Sequence, residues 1–427
     1  MLGAWARAAA LCLRSGRCVA ASRACRRTGH GTQAHAPLAR ERIPIMELSE
    51  DFFASQFFNA QFFDAQLPAL QALGFSLQHH LPALQAMDLP AGATPAQPWR
   101  LIELQRDGHA RLQSPAGLRA ARALPGLIQV LHAQGEQLAV GDWLLARENA
   151  QGELWAEARL PPFNSLSRRD PEGFRQALVN NVDLALLVMG LDHDFKLARL
   201  DRYLVLTHAA ELPALLVLSK ADLCPDLERR LAEVRAHLGR QLGTSVLEVL
   251  ALDGQPESCR AALHPWLGRG QTLVLLGSSG AGKSTLSNAL CAEDGRQQLT
   301  GAVRLDDSRG RHTTTTRSLR ASVAGACIID TPGLRSLQLD ADVAAVRAAF
   351  DDVSELAQHC RFRNCSHSGE PGCAVVGQLS AARVKSFHKL QREAERDQQS
   401  PLDRRHQLSQ WKAMVQSSRM ATKLKRG

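Results

Sequence analysis

Residues 276–290 read LGSSGAGKSTLSNAL, a glycine-rich turn running into an amphipathic stretch. Within it, Gly277 to Ser284 satisfy G-x-x-x-x-G-K-[ST], the pattern of a phosphate-cradling loop. The apolar run TLVLL (272–276) precedes the motif and STLSNALC follows, so it joins a predicted strand to a predicted helix. Glycines let successive backbone N–H groups turn inward, and a helix N-terminus adds positive potential there. On this reading Gly277, Ser278, Ser279, Gly280, Ala281 and Gly282 wrap the phosphates of a nucleotide, with Thr285 alongside. Lys283 reaches the β- and γ-phosphates, and the Ser284 hydroxyl ligates Mg²⁺. The loop alone does not choose between ATP and GTP.

Three stretches outside the loop narrow that choice. DTPG (Asp330–Gly333) ends an apolar strand, where Asp330 can hold Mg²⁺ through water and the Gly333 N–H can sense a γ-phosphate. RHTTTTR (311–317) can supply a second hydroxyl to the metal, from Thr314 or Thr315. LSKAD ends the strand ALLVL and brings Ser219, Lys220 and Asp222. A carboxylate there accepts both N1–H and the N2 amino group of guanine, a donor pair adenine lacks. A backbone contact to the base, the usual fifth element, is expected around Val249–Gly254.

The order of these elements is unusual. An ordinary GTPase meets its phosphate loop first and its base-reading loop fourth; here SKAD comes before the phosphate loop. The chain in this respect resembles the circularly permuted GTPases. Such rearrangement is tolerable because the termini of compact domains often lie close together. It also leads the segment after Asp330 straight into the C-terminal region, a short covalent path for nucleotide state.

The surroundings suit a multidomain protein. Apolar strands at 184–189, 214–218, 245–250, 272–276 and 326–330 alternate with helices over Lys196–Ala209 and Leu227–Leu242. That alternation predicts a mostly parallel α/β sheet with helices on both faces. Upstream, short alternating runs from Trp99 to about Leu160 predict an OB-like β barrel of about five strands. Pattern alone leaves a nucleic-acid surface and a generic β domain both open for it. PPFNSLSRRDPEGF reads as the linker between them. Downstream, CRFRNCSHSGEPGC spaces Cys360, Cys365, His367 and Cys373 as C-x₄-C-x-H-x₅-C. Three thiolates and an imidazole make a closed tetrahedral set for one structural Zn²⁺, which would stand in for a hydrophobic core in a small helical lobe. Nearby His359, Arg361, Arg363, Lys385, His388 and Lys389, and the tail MATKLKRG, either face RNA phosphates or form a solvated face. The expected divisions are 1–45 (basic leader), 46–95 (Phe-repeat and helical arm), 96–165 (barrel), 175–340 (nucleotide domain) and 341–427 (zinc lobe and tail).

Composition bounds the partners. The formal charge is +9, but residues 1–45 hold eight Arg against one acid and leave the remainder near +2. Nucleic-acid affinity in the body must therefore come from local patches. The isolated Cys224, Cys259, Cys291 and Cys327 suit a reducing compartment. No apolar run approaches the roughly eighteen residues of a membrane helix, so no membrane association is expected. The leader has the composition of an organellar transit peptide; it also reads as disordered, or as lying upstream of a true start at Met46. FFASQFFNAQFFDAQ (52–66) repeats every five residues, a step that turns a helix by about 140° and scatters the Phe pairs around it.

NNVDLALLVMGLDHDFKLARLDRYL, GSSGAGKSTL, GRHTTTTR, IIDTPGLRS and CRFRNCSHSGEPGCAV together resemble the YjeQ/RsgA family of bacterial ribosome-assembly GTPases, over roughly residues 70–400. The resemblance implies a cytoplasmic monomer that binds the small (30S) ribosomal subunit and its 16S rRNA, and hydrolyses GTP to GDP. It also implies that His312 orients the attacking water. Two departures stand out. Ser219 occupies a position where GTPases usually carry Asn, and Leu334, directly after DTPG, cannot hydrogen-bond water as a Gln there would. A P-loop ATPase or kinase, and a zinc-dependent RNA-binding module with a degenerate nucleotide site, are the rival readings. Asp222→Asn is expected to shift preference from guanine toward xanthine nucleotides in competition binding; unchanged GTP use would favour the ATPase or kinase.

Overall fold

A computed structural model describes residues 60–87, 96–105, 109–169, 175–241, 245–291, 317–331 and 338–398, all within one compact unit. Helices α1 (Ala60–Ala72) and α2 (Leu77–Gln85) open it, turning at Gly74, where φ is +93°. Leu67, Leu70, Phe75, Leu81 and Leu84 form their buried face, packed on Trp143, Leu145 and Leu160. The helices of the expected arm are thus part of the body; the side chains of the Phe repeat lie outside the described residues. Strands β1 (Gln97–Leu104), β2 (His109–Ser114) and β3 (Gly117–Ala123) come next, then α3 (Pro125–Ala133), β4 (Trp143–Glu148) and β5 (Leu154–Arg159). β1 pairs antiparallel with β2 and β4, and β3 pairs parallel with β5, closing the order 1-2-3-5-4-1 into a five-stranded barrel. Alternating burial along β2 and β5 points every second side chain at a core of Leu101, Leu112, Leu144 and Leu154.

A buried polar joint fastens the two helices, the barrel and the start of the nucleotide domain. Arg100, fully buried, donates to the backbone carbonyls of Leu73 and Asn181. His80 Nδ1 accepts from the Ser76 N–H at 2.8 Å, which leaves the proton on Nε2 to donate to Asn181 Oδ1 at 3.2 Å.

The stretch read as a linker is partly a strand. SLSRR forms β6 (Ser165–Arg169), paired antiparallel with β7 (Arg175–Asn180) and with the two-residue β14 (Gln338–Leu339). Arg175 and Arg169 hold Asp340 at 2.8 and 3.3 Å, and the Ser167 hydroxyl donates to the same carboxylate. So polar a run becomes a strand through its tertiary partners.

The nucleotide domain then alternates as expected: β8 (Leu184–Gly190), α4 (Leu197–Ala209), β9 (Ala214–Ser219), α5 (Leu227–Leu238), β10 (Val246–Leu252), α6 (Pro256–Leu263), β11 (Thr272–Leu276), α7 (Lys283–Leu290), β12 (Ser318–Ala321) and β13 (Cys327–Asp330). The strands β10-β9-β8-β11-β13 are mutually parallel. Their residues are nearly all apolar because helices cover both faces, with α4 and α5 on one core and α6 and α7 on the other. Helix α5 stops four residues short of the expected Leu242 because Gly239 leaves helical geometry at φ +52°. β12 runs antiparallel to β13 and meets β1 at Glu103, so barrel and parallel sheet form one continuous array.

Helices α8 (Val343–Ala349), α9 (Asp351–Ala357) and α10 (Ala381–Gln398) make the C-terminal lobe. They do not form a small body lacking a core. Val346, Phe350, Val353, Phe387 and Leu390 are buried in the same cluster as Leu204 and Val205 of α4. Arg383, 4% exposed, bridges the two: its guanidinium meets Asp201 of α4, takes both oxygens of Asp352 at 3.0 and 3.1 Å, and lies 4.0 Å from the Phe350 ring centre. Burial would raise the Asp201 carboxyl, but the His237 hydrogen bond and the charges of His237 and Arg383 outweigh it and hold the group below the usual carboxylate range. Among the described residues no helix is long and apolar enough to cross a membrane. Removing one partner from a buried ion pair strands the other, so Arg383→Ala is expected to cost about 3–5 kcal/mol in urea denaturation.

Candidate functional site

Parallel strands deliver their carboxyl ends to one edge, where loops between strand and helix gather ligands. β11 ends there and the glycine-rich loop begins. A Cβ on Gly277 would stand 2.4 Å from the Val188 carbonyl oxygen, so only glycine lets the loop leave so close to β8. Gly280 and Gly282 take φ +84° and +91°, and α7 starts directly after at Lys283. The Lys283 ammonium donates to the carbonyls of Gly277 and Ser278 at 2.9 and 2.7 Å. Burial lowers its pKa to about 8, against the pull of the Asp330 and Asp194 carboxylates. Ser284 and Thr285 occupy the first turn of α7. Asp330 is buried at the end of the adjacent β13, and the Thr331 hydroxyl pins the next residue to the Leu275 carbonyl at 2.6 Å.

The base-reading loop arrives at the same edge. The Ser219 hydroxyl, at the end of β9, donates to the carbonyl of Ala281 inside the phosphate loop at 2.6 Å, across 62 residues of sequence. A Cβ on Gly282 would lie 3.2 Å from that same hydroxyl oxygen. Lys220 follows in the left-handed region at φ +60°, and its ammonium meets the Asp192 carboxylate at 2.6 Å. Asp222 is exposed on the turn Ala221–Leu223. Gly254, in the turn after β10, packs toward Thr285 of α7, where a Cβ would sit 3.6 Å from the threonine methyl. The structure therefore brings Ser219 against the loop Gly277–Thr285, which Asp330 adjoins, and places Lys220 and exposed Asp222 on the turn that follows Ser219. His312, Thr314, Thr315 and Gly333 lie outside the described residues.

At the position where GTPases usually carry Asn, the Ser219 hydroxyl is directed at the Ala281 carbonyl, tying the two loops. Other members escaped the sequence reading. Asp192 neutralises Lys220; burial works against its ionised form, but the Lys220 bond and the Asp194 N–H hold it below the usual carboxylate range. Asp194, 6% exposed, accepts from the Ser278 hydroxyl at 2.5 Å and pairs with Arg199 of α4, which itself donates to Ser278 Oγ at 2.7 Å. The signal available for them was a pair of acids directly after a fully apolar strand, in LDHD.

At the lobe, one ligand atom from each of Cys360, Cys365, His367 and Cys373 lies within 4.8 Å of all the others. His367 turns its ring inward from φ +56°, placing Nδ1 3.6 Å from Cys360 Sγ and 3.5 Å from Cys373 Sγ; the two sulfurs are 3.9 Å apart. A tetrahedral ion with metal–sulfur bonds of about 2.3 Å sets its sulfurs ~3.8 Å apart, so the donor set fits such an ion. The three thiols are free of disulfides. Burial disfavours the Cys373 thiolate, but N–H groups of Val376 and Val375 and the His367 ring outweigh it and draw the thiol down to about 6. Glu370 braces the loop by accepting from the N–H groups of Ser366 and Ser368 at 2.9 and 2.8 Å.

A phosphate loop at the carboxyl edge of a parallel sheet, with an S-K-x-D loop tied to it from earlier in the chain, defines a P-loop GTP hydrolase of permuted order. The family model for the RsgA GTPase matches residues 160–340. A protein of Vibrio parahaemolyticus named small ribosomal subunit biogenesis GTPase RsgA 2 is 41% identical over 271 residues, covering 62% of this chain and 72% of its own. One of Xanthomonas euvesicatoria, named small ribosomal subunit biogenesis GTPase RsgA, is 38% identical over 331 residues, 76% of this chain and 88% of its own. The crystal structure of YjeQ from Thermotoga maritima superposes with a TM-score of 0.50 at 21% identity, over 70% of this chain and 98% of that one, and so shares the fold. The chain belongs to the RsgA GTPase family.

The lowered Lys283 pKa has a measurable sign. Between pH 8 and 10.5 the folded protein holds the neutral amine while the unfolded chain still binds the proton, so stability rises with pH. In nucleotide-free protein this gain is expected to be on the order of 2–3 kcal/mol, and urea denaturation of Lys283→Met should show it missing.

Proposed function

We propose that this chain binds the small ribosomal subunit late in its maturation, hydrolyses GTP to GDP and phosphate there, and leaves. The tie between Ser219 and Ala281 carries the reading, because it seats a guanine-selecting carboxylate and a phosphate loop on one edge. The names of the bacterial relatives supply the ribosomal subunit as partner. In this reading the amides of Gly277–Gly282 and Lys283 hold the phosphates, and Asp222, beside Lys220, reads guanine. Mg²⁺, bound with the nucleotide, would be held by Ser284, by Thr314 or Thr315 and through water by Asp330, and would neutralise developing phosphate charge. The Lys283 amine exchanges its two carbonyl partners for phosphate oxygens, and nucleotide affinity falls as pH rises past about 8. Gly333 senses the γ-phosphate and His312 orients the water, since Leu334 offers no hydrogen bond.

The Cys₃His set holds one structural Zn²⁺, as its nitrogen and sulfur donors favour. Exposed His359, Arg361, Arg363, Lys385 and Lys389 supply positive charge toward 16S rRNA. The barrel, whose strand order suits an OB-like fold, supplies a second RNA surface. The protein acts in the cytoplasm, in keeping with its bacterial relatives, and as a monomer.

Multiple-turnover GTP hydrolysis with and without 30S subunits tests the whole reading. Slow intrinsic turnover that rises at least about tenfold with 30S is expected, since no strong water-orienting side chain follows DTPG. Turnover indifferent to 30S, or preference for ATP, would contradict it.

A further inference from the structure

Helix α4 faces two parts of the molecule within four residues. At Arg199 it holds the phosphate loop: the guanidinium donates to Ser278 Oγ at 2.7 Å and is paired with Asp194. Asp194 is engaged at both oxygens, by Arg199 and Ser278 on one and by the Gly190 N–H at 3.3 Å on the other. The arrangement is directional, because the Ser278 carbonyl is also one of the two anchors of the Lys283 ammonium. At the next residues the same helix holds the C-terminal lobe. Arg202 makes a bidentate pair with Glu393 of α10 at 2.5 and 2.7 Å, both side chains only 18% exposed. Asp201 receives Arg383 of α10. Charge-assisted, two-pronged bonds of this kind fix orientation as well as distance. A single helical turn is too stiff to let one end shift without the other.

We propose that α4 couples the C-terminal lobe to the phosphate loop. Arg199 is a positioning residue for Ser278, and its setting is fixed by the contacts of Asp201 and Arg202 with α10. A partner that pulls on the lobe thereby loosens or tightens the seat of Lys283, by a route separate from the covalent path after Asp330. The effect on nucleotide rests on the GTPase reading above; the effect on the loop does not.

The test uses the full chain carrying Arg202→Ala, Glu393→Ala, both together, and the exchanged pair Arg202→Glu with Glu393→Arg. In nucleotide-free protein, either single change is expected to speed amide exchange over 277–283 by about three- to tenfold and to weaken GDP binding by a similar factor. The double change adds nothing further, and the exchanged pair recovers part of the loss. Exchange over barrel residues 109–123 stays at the wild-type rate. Unchanged exchange over 277–283 would overturn the proposal, and so would equal acceleration in the barrel, which marks general loosening. Failure of the wild-type protein to bind GDP would sink the GTPase reading, while the exchange measurement still decides the coupling.

Discussion

Parallel pairing of β9, β8, β11 and β13 is the constraint from which the site arises. Strands running one way deposit all their carboxyl ends on one edge, whatever order the chain visits them in. Four of these strands end in Ser219, Gly190, Leu276 and Asp330, and the loops that leave them carry the candidate ligands. The permuted order of motifs is therefore no obstacle to assembling them. The Ser219 hydroxyl then fixes the spacing by bonding the Ala281 carbonyl, and Gly277 allows the loop to pass against β8.

Within that frame charged side chains gather at the same edge. Lys283 donates to two carbonyls, and its burial leaves its proton only loosely held. Asp192 and Asp194 each neutralise a cation at the edge, Lys220 and Arg199. The same helix that carries Arg199 is welded to the C-terminal lobe by a shared apolar core and by Arg383. A metal ion held by the Cys₃His set would therefore sit on a lobe that already has a core, where an isolated zinc module would need the ion to fold at all.

Much of this was legible in the sequence. Strands buried on both faces read as uninterrupted apolar runs, and LALLVM, ALLVL and TLVLL begin where β8, β9 and β11 begin. The phosphate loop and the cysteine cluster carry local spacings that survive without context. What escaped has its cause in tertiary structure. SLSRR and SLRA are too polar to read as strands and become β6 and β12 through their partners. The lobe's apolar residues, such as Val346, Phe350 and Phe387, are spread thinly through charged helices, so their joint burial against α4 was not visible. Nothing in SKAD tells which way the Ser219 hydroxyl points, so its bond to the Ala281 carbonyl was not visible. Arg199 sits among other charges in KLARLDR, and only the fold singles it out.

A crystal structure with GDP bound measures the proposition at the root of all this: that loops far apart and out of order in the chain enclose one guanine nucleotide. The diphosphate should lie against the amides of residues 279–284 with Lys283 turned toward it, and the Asp222 carboxylate should meet N1 and N2 of the base in the same molecule. A nucleotide seated on the phosphate loop with its base turned away from Lys220 and Asp222 would contradict it.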